Sequence, residues 1–184
     1  TILLLSCFCF SVAVMGQDIH YSQFNAAIQN LSPAQTGLFD GDWRLNGNFR
    51  SQWAAVPVPY KTFSIAADTR LKTKLQNDVP AAGLQINADQ AGDSRFTTLQ
   101  VMLSGAYVKK LTTDSTHFLS LAIQPGFTTR SFNVNSLSFD AQYTGDAYDK
   151  SLSSQENFPR TRMTYLEIGG GLSYLWRKSN RQLI

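Results

Sequence analysis

Apolar residues recur at every second position through most of this chain, and that period is the strongest constraint on its fold. Residues 43–50 set Trp43, Leu45, Gly47 and Phe49 against Arg44, Asn46, Asn48 and Arg50. Residues 61–68 set Phe63, Ile65 and Ala67 against Thr62, Ser64, Ala66 and Asp68. Residues 83–89 place Leu84, Ile86 and Ala88 opposite Gly83, Gln85, Asn87 and Asp89. Residues 98–109 divide into Leu99, Val101, Leu103, Gly105 and Tyr107 against Gln100, Met102, Ser104 and Ala106. Residues 117–128 give Leu119, Leu121, Ile123 and Phe127 against Ser120, Ala122, Gln124 and Gly126. Residues 165–176 give Leu166, Ile168, Leu172, Tyr174 and Trp176 against Tyr165, Glu167, Gly169, Gly171 and Ser173. Six strands are predicted, with no amphipathic helix among them.

Such alternation fits both a half-buried soluble sheet and a transmembrane barrel. Several segments are about 9–12 residues long, enough to cross a bilayer at a tilt, whereas soluble strands cluster near 5–6. The polar faces carry Ser, Thr, Asn, Gln, Gly and scattered charges, as a wet lumen does. Trp43, Tyr60, Tyr107, Tyr174 and Trp176 fall near strand ends, where membrane-interface aromatics belong. Charged residues are only 16% of the chain, below the soluble average of about 25%. The 16 Lys and Arg are spread against 13 Asp and Glu, so no basic stripe for nucleic acid forms.

Residues 1–15 carry no charge and are too short for a spanning helix, so residues 1–16 are predicted to be a signal peptide. Val14 and Gly16 suit positions −3 and −1 of its cleavage site, which would leave Gln17 first. Cys7 and Cys9 both fall inside that segment, so the mature chain is expected to carry no thiol for disulfides, zinc or catalysis. The opening Thr and the missing basic flank suggest that the sequence starts part-way through its leader. Six strands are too few to close a barrel, and open edges do not survive in lipid. Residues 43–184 are thus expected to be the N-terminal part of a larger up-and-down outer-membrane barrel, preceded by a pre-barrel segment at 17–42.

If that barrel's N-terminus is periplasmic, loops 52–59, 90–97 and 133–161 lie outside and turns 70–80, 111–116 and 177–182 inside. The inner turns and their flanks hold Arg70, Lys72, Lys74, Lys109, Lys110, Arg177, Lys178 and Arg181. The outer loops hold Asp93, Asp140, Asp146, Asp149 and Glu156. A basic periplasmic rim of that kind suits an acidic partner.

Several blocks resemble one family. They are Gln17-Asp18-Ile19-His20-Tyr21-Ser22-Gln23-Phe24, Leu31-Ser32-Pro33-Ala34-Gln35-Thr36-Gly37, Asn48-Phe49-Arg50-Ser51-Gln52-Trp53 and Pro57-Val58-Pro59-Tyr60-Lys61-Thr62-Phe63. Together with Asp89-Gln90-Ala91-Gly92-Asp93, Ala106-Tyr107, Leu137-Ser138-Phe139-Asp140 and Gln142-Tyr143, they resemble the PorP/SprF family across residues 17–176. Ser32 and Ala27 stand where that family commonly has Asn and Pro. The resemblance implies a non-enzymatic component of the type IX secretion and gliding machinery in the outer membrane of a Gram-negative bacterium. It implies outer-membrane lipid, periplasmic ring or lipoprotein components and a secreted surface adhesin as partners, and no nucleic acid. Tyr21, Ser22, Gln23, Phe24, Pro33, Ala34, Thr36, Gly37, Arg50, Gln52, Trp53, Pro59 and Tyr60 are its candidate interaction residues.

The chemistry-bearing residues form no catalytic set, and no cofactor is expected. His20 and His117 lie in no metal motif, and His117 reads as a strand end. Gly169-Gly170-Gly171 lies within a strand, where glycine permits curvature or close backbone approach. Asp140, Asp146 and Asp149 match no EF-hand spacing. Arg44, Arg50, Asp68, Asp89 and Glu167 are expected to pair across the lumen. The segment before the first strand is expected inside the barrel or at its periplasmic mouth. Two other functions fit the pattern: a diffusion channel for small solutes, and a secreted soluble barrel of ligand-binding type.

Overall fold

The structure, a computed structural model, describes residues 27–55, 58–73, 78–113 and 116–177. Six strands form one antiparallel sheet in chain order: β1 (Trp43–Gln52), β2 (Tyr60–Arg70), β3 (Asp78–Ala91), β4 (Phe96–Lys110), β5 (His117–Ser131) and β6 (Arg162–Trp176). This is an all-β, up-and-down meander, and among the described residues the sheet is not closed. Before it come one helical turn at Ile28–Leu31 and a 3-10 turn at Pro33–Gln35. No described helix is long and apolar enough to cross a membrane.

Each predicted strand is present, and most are longer than the alternation alone indicated. The largest difference is β3, which starts at Asp78 and so takes Pro80 out of the predicted turn. The run Asp78-Val79-Pro80-Ala81-Ala82 has no alternation and contains a proline, which ordinarily argues against a strand. Here Pro80 faces Tyr107 on β4, and its carbonyl accepts from Leu71 N–H at 2.8 Å. At the other end of β3 the predicted eight-residue loop shrinks to a tight turn. Gly92 and Arg95 there take left-handed φ of 67° and 48°, and Arg95 N–H donates to Gly92 C=O at 3.0 Å.

The register puts alternate residues of all six strands on common faces. Arg44 faces Asp68, Asp68 faces Gly83, and Gly83 faces Ser104 on one side. On the other side Ala82 faces Gly105, Gly105 faces Ile123, and Ile123 faces Gly170. Burial is inverted relative to a soluble sheet. Thr62, Ser64, Asp68, Gln85, Asn87, Ser104, Ser120 and Gln124 are buried, whereas Leu45, Phe63, Leu84, Leu103, Leu121 and Leu172 are exposed. Among the described residues the buried hydrophobic cluster is Ala34, Ala81, Ala106 and Ala122, small side chains throughout. A soluble antiparallel sheet hides its oily face. This one presents it over six strands, as the wall of a membrane barrel does.

The two sheet edges differ. The β1–β2, β3–β4 and β5–β6 connections share one edge, and the β2–β3 and β4–β5 connections share the other. The long loop is folded on itself: Phe158 packs against Phe132 and Phe139, and buried Gln142 donates to Leu152 C=O while accepting from Tyr148 O–H. Asn133 N–H ties it to the neighbouring turn at Ser94 C=O, 2.7 Å.

Candidate functional site: a strap across the polar face

Residues 27–40 cross the polar face of the sheet as a strap. Ser32 opens the 3-10 turn, its Oγ accepting from Ala34 N–H, with Pro33 placed where a missing N–H costs nothing. That turn drops Ala34, fully buried, onto a row of small side chains running from Ala81 through Ala106 and Ala122 to Gly171. A Cβ on Gly171 would come within 2.8 Å of Ser32 Oγ and 3.0 Å of Ala34 N, so close approach requires glycine there.

Polar contacts then stitch the strap to strands across the sheet. Thr36 Oγ1 hydrogen-bonds Ser104 Oγ on β4 at 2.9 Å, and Gln35 Nε2 donates to Ser173 Oγ on β6 at 3.3 Å. Gly37 N–H donates to Asp68 Oδ2 on β2 at 2.8 Å. Gly37 has φ of 78°, and a Cβ on it would collide with Ala81, so two constraints select glycine. Arg44 grips the same carboxylate with Nε at 2.9 Å and Nη2 at 2.8 Å, while Nη2 also donates to Gln35 C=O. Asp68 is 1% exposed, and its buried charge is offset by a bidentate guanidinium and a backbone N–H. Arg70 Nε closes the strap by donating to Gly37 C=O at 2.9 Å.

Deeper along the face, amides form a relay. Asn30 accepts from Gln85 and Asn87, Asn87 donates to Gln100, and Gln100 donates to Glu167 Oε2 at 2.7 Å. Asn30 donates in turn to Ser64 Oγ, and Gln124 donates to Gln85. A cavity of about 420 Å³ lies between this relay and the strap, bordered by Gln29, Arg130 and Glu167.

The candidate residues separate into distinct places. Tyr21, Ser22, Gln23 and Phe24 lie outside the described residues, as do the predicted signal peptide, Lys74 and Lys178. Pro33, Ala34, Thr36 and Gly37 form the strap's contact line. Arg50 is on the polar face of β1 opposite Thr62, and Gln52 ends that strand opposite Tyr60. Trp53 follows with φ of 56° and packs edge-on to Tyr60 at 5.2 Å. Pro59 borders a second cavity with Lys61, Asp93 and Arg95, at the long-loop edge. The structure therefore does not bring these motifs together: Arg44 and Arg50 are six positions apart on β1, roughly 20 Å of strand.

Arg70, Lys72, Lys109, Lys110 and Arg177 do share one edge, but they point differently. Arg70, Lys110 and Arg177 border a cavity at the strap's end, whereas Lys109 belongs to the exposed apolar side and Lys72 to the turn. Trp43, Tyr107, Tyr174 and Trp176 are all exposed on the apolar face close to this same edge. His117, at the first position of β5, stacks between Tyr174 and Trp176 and meets Tyr174 O–H at 2.5 Å. Asp149, in the long loop, accepts from Ser151 Oγ and N–H, and both bonds hold its carboxyl below the usual carboxylate range. Among the described residues no group of three His, Cys, Asp or Glu is arranged to hold a metal.

Asn30, Ser104, Ser173 and most of the small-residue row lie outside the motif blocks, and Gln35 lies inside one without being a candidate residue; the strap's contacts join all of them. A run of small residues carries no pattern of its own. The usable signal was Gly171, a glycine within an alternating strand.

A six-strand wall with its oily side out and a strapped polar side has a counterpart among known families. The description "type IX secretion system membrane protein PorP/SprF" matches residues 13–180. No curated protein and no solved structure gives a significant match. By that match across nearly its whole length, the chain belongs to the PorP/SprF family of type IX secretion system membrane proteins.

Proposed function

We propose that the chain is a non-catalytic outer-membrane scaffold of this secretion system, which anchors surface adhesins or assists their export. Residues 1–16 act as a removable leader, 17–42 as a pre-barrel segment and 43–184 as part of a barrel wall. The basic edge faces the periplasm and meets ring or lipoprotein components, and the acidic long-loop edge faces outward. The observation that carries the proposal is the inverted sheet, whose exposed side chains are apolar on every strand. It suits lipid on one side and an enclosed interior on the other.

The strap supports a scaffold in preference to an open channel. Contacts from Asn30, Ala34, Thr36 and Gly37 occupy the polar face that solutes would otherwise traverse. Deleting residues 17–37 from the whole protein is expected to abolish adhesin display while leaving the barrel inserted in the membrane. Display persisting at the normal level would overturn the scaffold role of the segment. Planar-bilayer recording of the intact protein separates the channel: steady large conductance supports solute transport, and silence supports the scaffold.

A further inference from the structure

The cavity at the basic edge combines cationic and aliphatic side chains in one lining. Its volume is about 200 Å³, and it lies between the strap's end and the polar face. Leu38 supplies one apolar wall, and Val79, Val108 and Leu175 supply the others. Arg70, Lys110 and Arg177 form a ring of cations in its lining. Among the described residues, Asp40 is the one carboxylate bonded to this ring, at 3.1 Å from Arg177, and both side chains are partly exposed. Arg177 also lies over the Phe118 ring, 5.5 Å from its centre. Three cations beside aliphatic walls attract an anion that brings its own apolar surface.

The face on which the cavity opens selects the source of that anion. Val79, Val108, Lys110 and Leu175 have the same side-chain parity as Ser104 and Ser120, opposite to Leu121 and Ile123. A lipid headgroup beside the exposed apolar face is thus on the wrong side of the sheet, and the occupant must enter from the aqueous edge. We propose that this cavity binds an acidic peptide segment of a partner protein, with an apolar side chain next to its carboxylate. The carboxylate engages Lys110 and Arg177, displacing Asp40, and the apolar side chain enters between Leu38 and Val108. This deepens the proposed contact at the basic edge and rests on that edge facing the periplasm.

The test uses the whole protein in lipid nanodiscs and a fluorescein-labelled octapeptide of alternating Asp and Leu. Saturable binding that weakens with added salt is expected, with an Asp–Ser octapeptide at least about tenfold weaker. Lys110→Glu and Arg177→Glu are each expected to weaken the Asp–Leu peptide about tenfold, and Lys110→Gln by a smaller factor. A folded Lys110→Glu variant that binds like the parent overturns the proposal, as does equal binding of the two peptides. Phosphatidylglycerol vesicles that compete for the cavity, with the same dependence on Lys110, also overturn it in favour of lipid. Because binding is measured on isolated protein, it is independent of topology. Impermeant labelling of Thr113→Cys in intact cells reports separately whether this edge faces the periplasm, and labelling from outside would overturn the topology alone.

Discussion

Along β5, Leu121 and Ile123 stand 64% and 58% exposed, while Ser120, Ala122 and Gln124 beside them are all below 9%. One strand therefore serves two environments at intervals of a single residue. The apolar face has nothing from the described chain packed on it, and its contribution depends on what surrounds the protein. Much of the polar face is satisfied internally, by Arg44 and Asp68, by the amide relay and by the strap, while among the described residues Ser120 Oγ, Thr128 Oγ1 and the Gln29 amide are buried without a partner. The lesson is that folding energy enters the two faces by different routes: lipid contact on one, directed hydrogen bonds on the other. Substitutions on the two faces should fail in different ways.

The largest effect is expected at Asp68. Asp68→Ala leaves the largely buried Arg44 without its carboxylate and removes the acceptor of Gly37 N–H, and losing one partner of a buried pair costs up to about 3–5 kcal/mol. Urea unfolding of the whole protein in vesicles should show that loss, and the double change Arg44→Met with Asp68→Leu should recover a large part of it. An Asp68→Ala barrel as stable as the parent would mean that the strap is not anchored through this pair.

Next comes the lipid face. Ile123→Arg, near the middle of β5, should cost about 2–4 kcal/mol if that face meets the hydrocarbon core. The same unfolding assay, run beside membrane insertion in cells, measures it. Tolerance like that of an ordinary surface position would remove lipid from the apolar side and leave the comparison of faces without its first half.

The two faces were also unequally legible in sequence. The apolar side declares itself because large residues such as Phe63, Leu103 and Leu172 recur with period two, and that alone places all six strands. Strand ends were blurred where the alternation stops, most clearly at Asp78-Val79-Pro80, where the pairing with β4 overrides the proline. The polar side told which residues share a face, including Arg44 and Asp68, but not what lies on it. The strap's seat depends on Ala81, Ala106, Ala122 and Gly171, whose role is to be small, and smallness leaves no periodic trace. The cavity at the basic edge was half visible, since its cations could be counted but the inward parity of Val79, Val108 and Leu175 became clear only with the register.

A pair of glycines compares the faces at smaller scale. Gly171→Ala pushes a methyl group into Ser32 and Ala34, and overpacking of that kind costs about 1–3 kcal/mol. Gly105→Ala, on the apolar side, meets nothing within 4 Å and should be neutral or stabilising by about 0.5–1 kcal/mol. Limited proteolysis should cut the strap faster in the first variant and at the parental rate in the second. Equal cleavage in both would show that the strap does not rest on the row ending at Gly171.

The smallest expected effect isolates one stitch. Thr36 is fully buried, and its hydroxyl donates to Ser104 Oγ, itself 5% exposed. Thr36→Val keeps the shape and removes the donor, so the loss is one buried neutral hydrogen bond, about 1 kcal/mol. Ser104→Ala should cost a similar amount alone, and the double variant should cost less than the sum, because neither change then strands a polar atom. Thr36→Ser retains the hydroxyl and should stay closer to the parent than Thr36→Val. If the two single costs simply add, Thr36 and Ser104 act independently, and the hold of the strap on β4 must come from the packing of Ala34 instead.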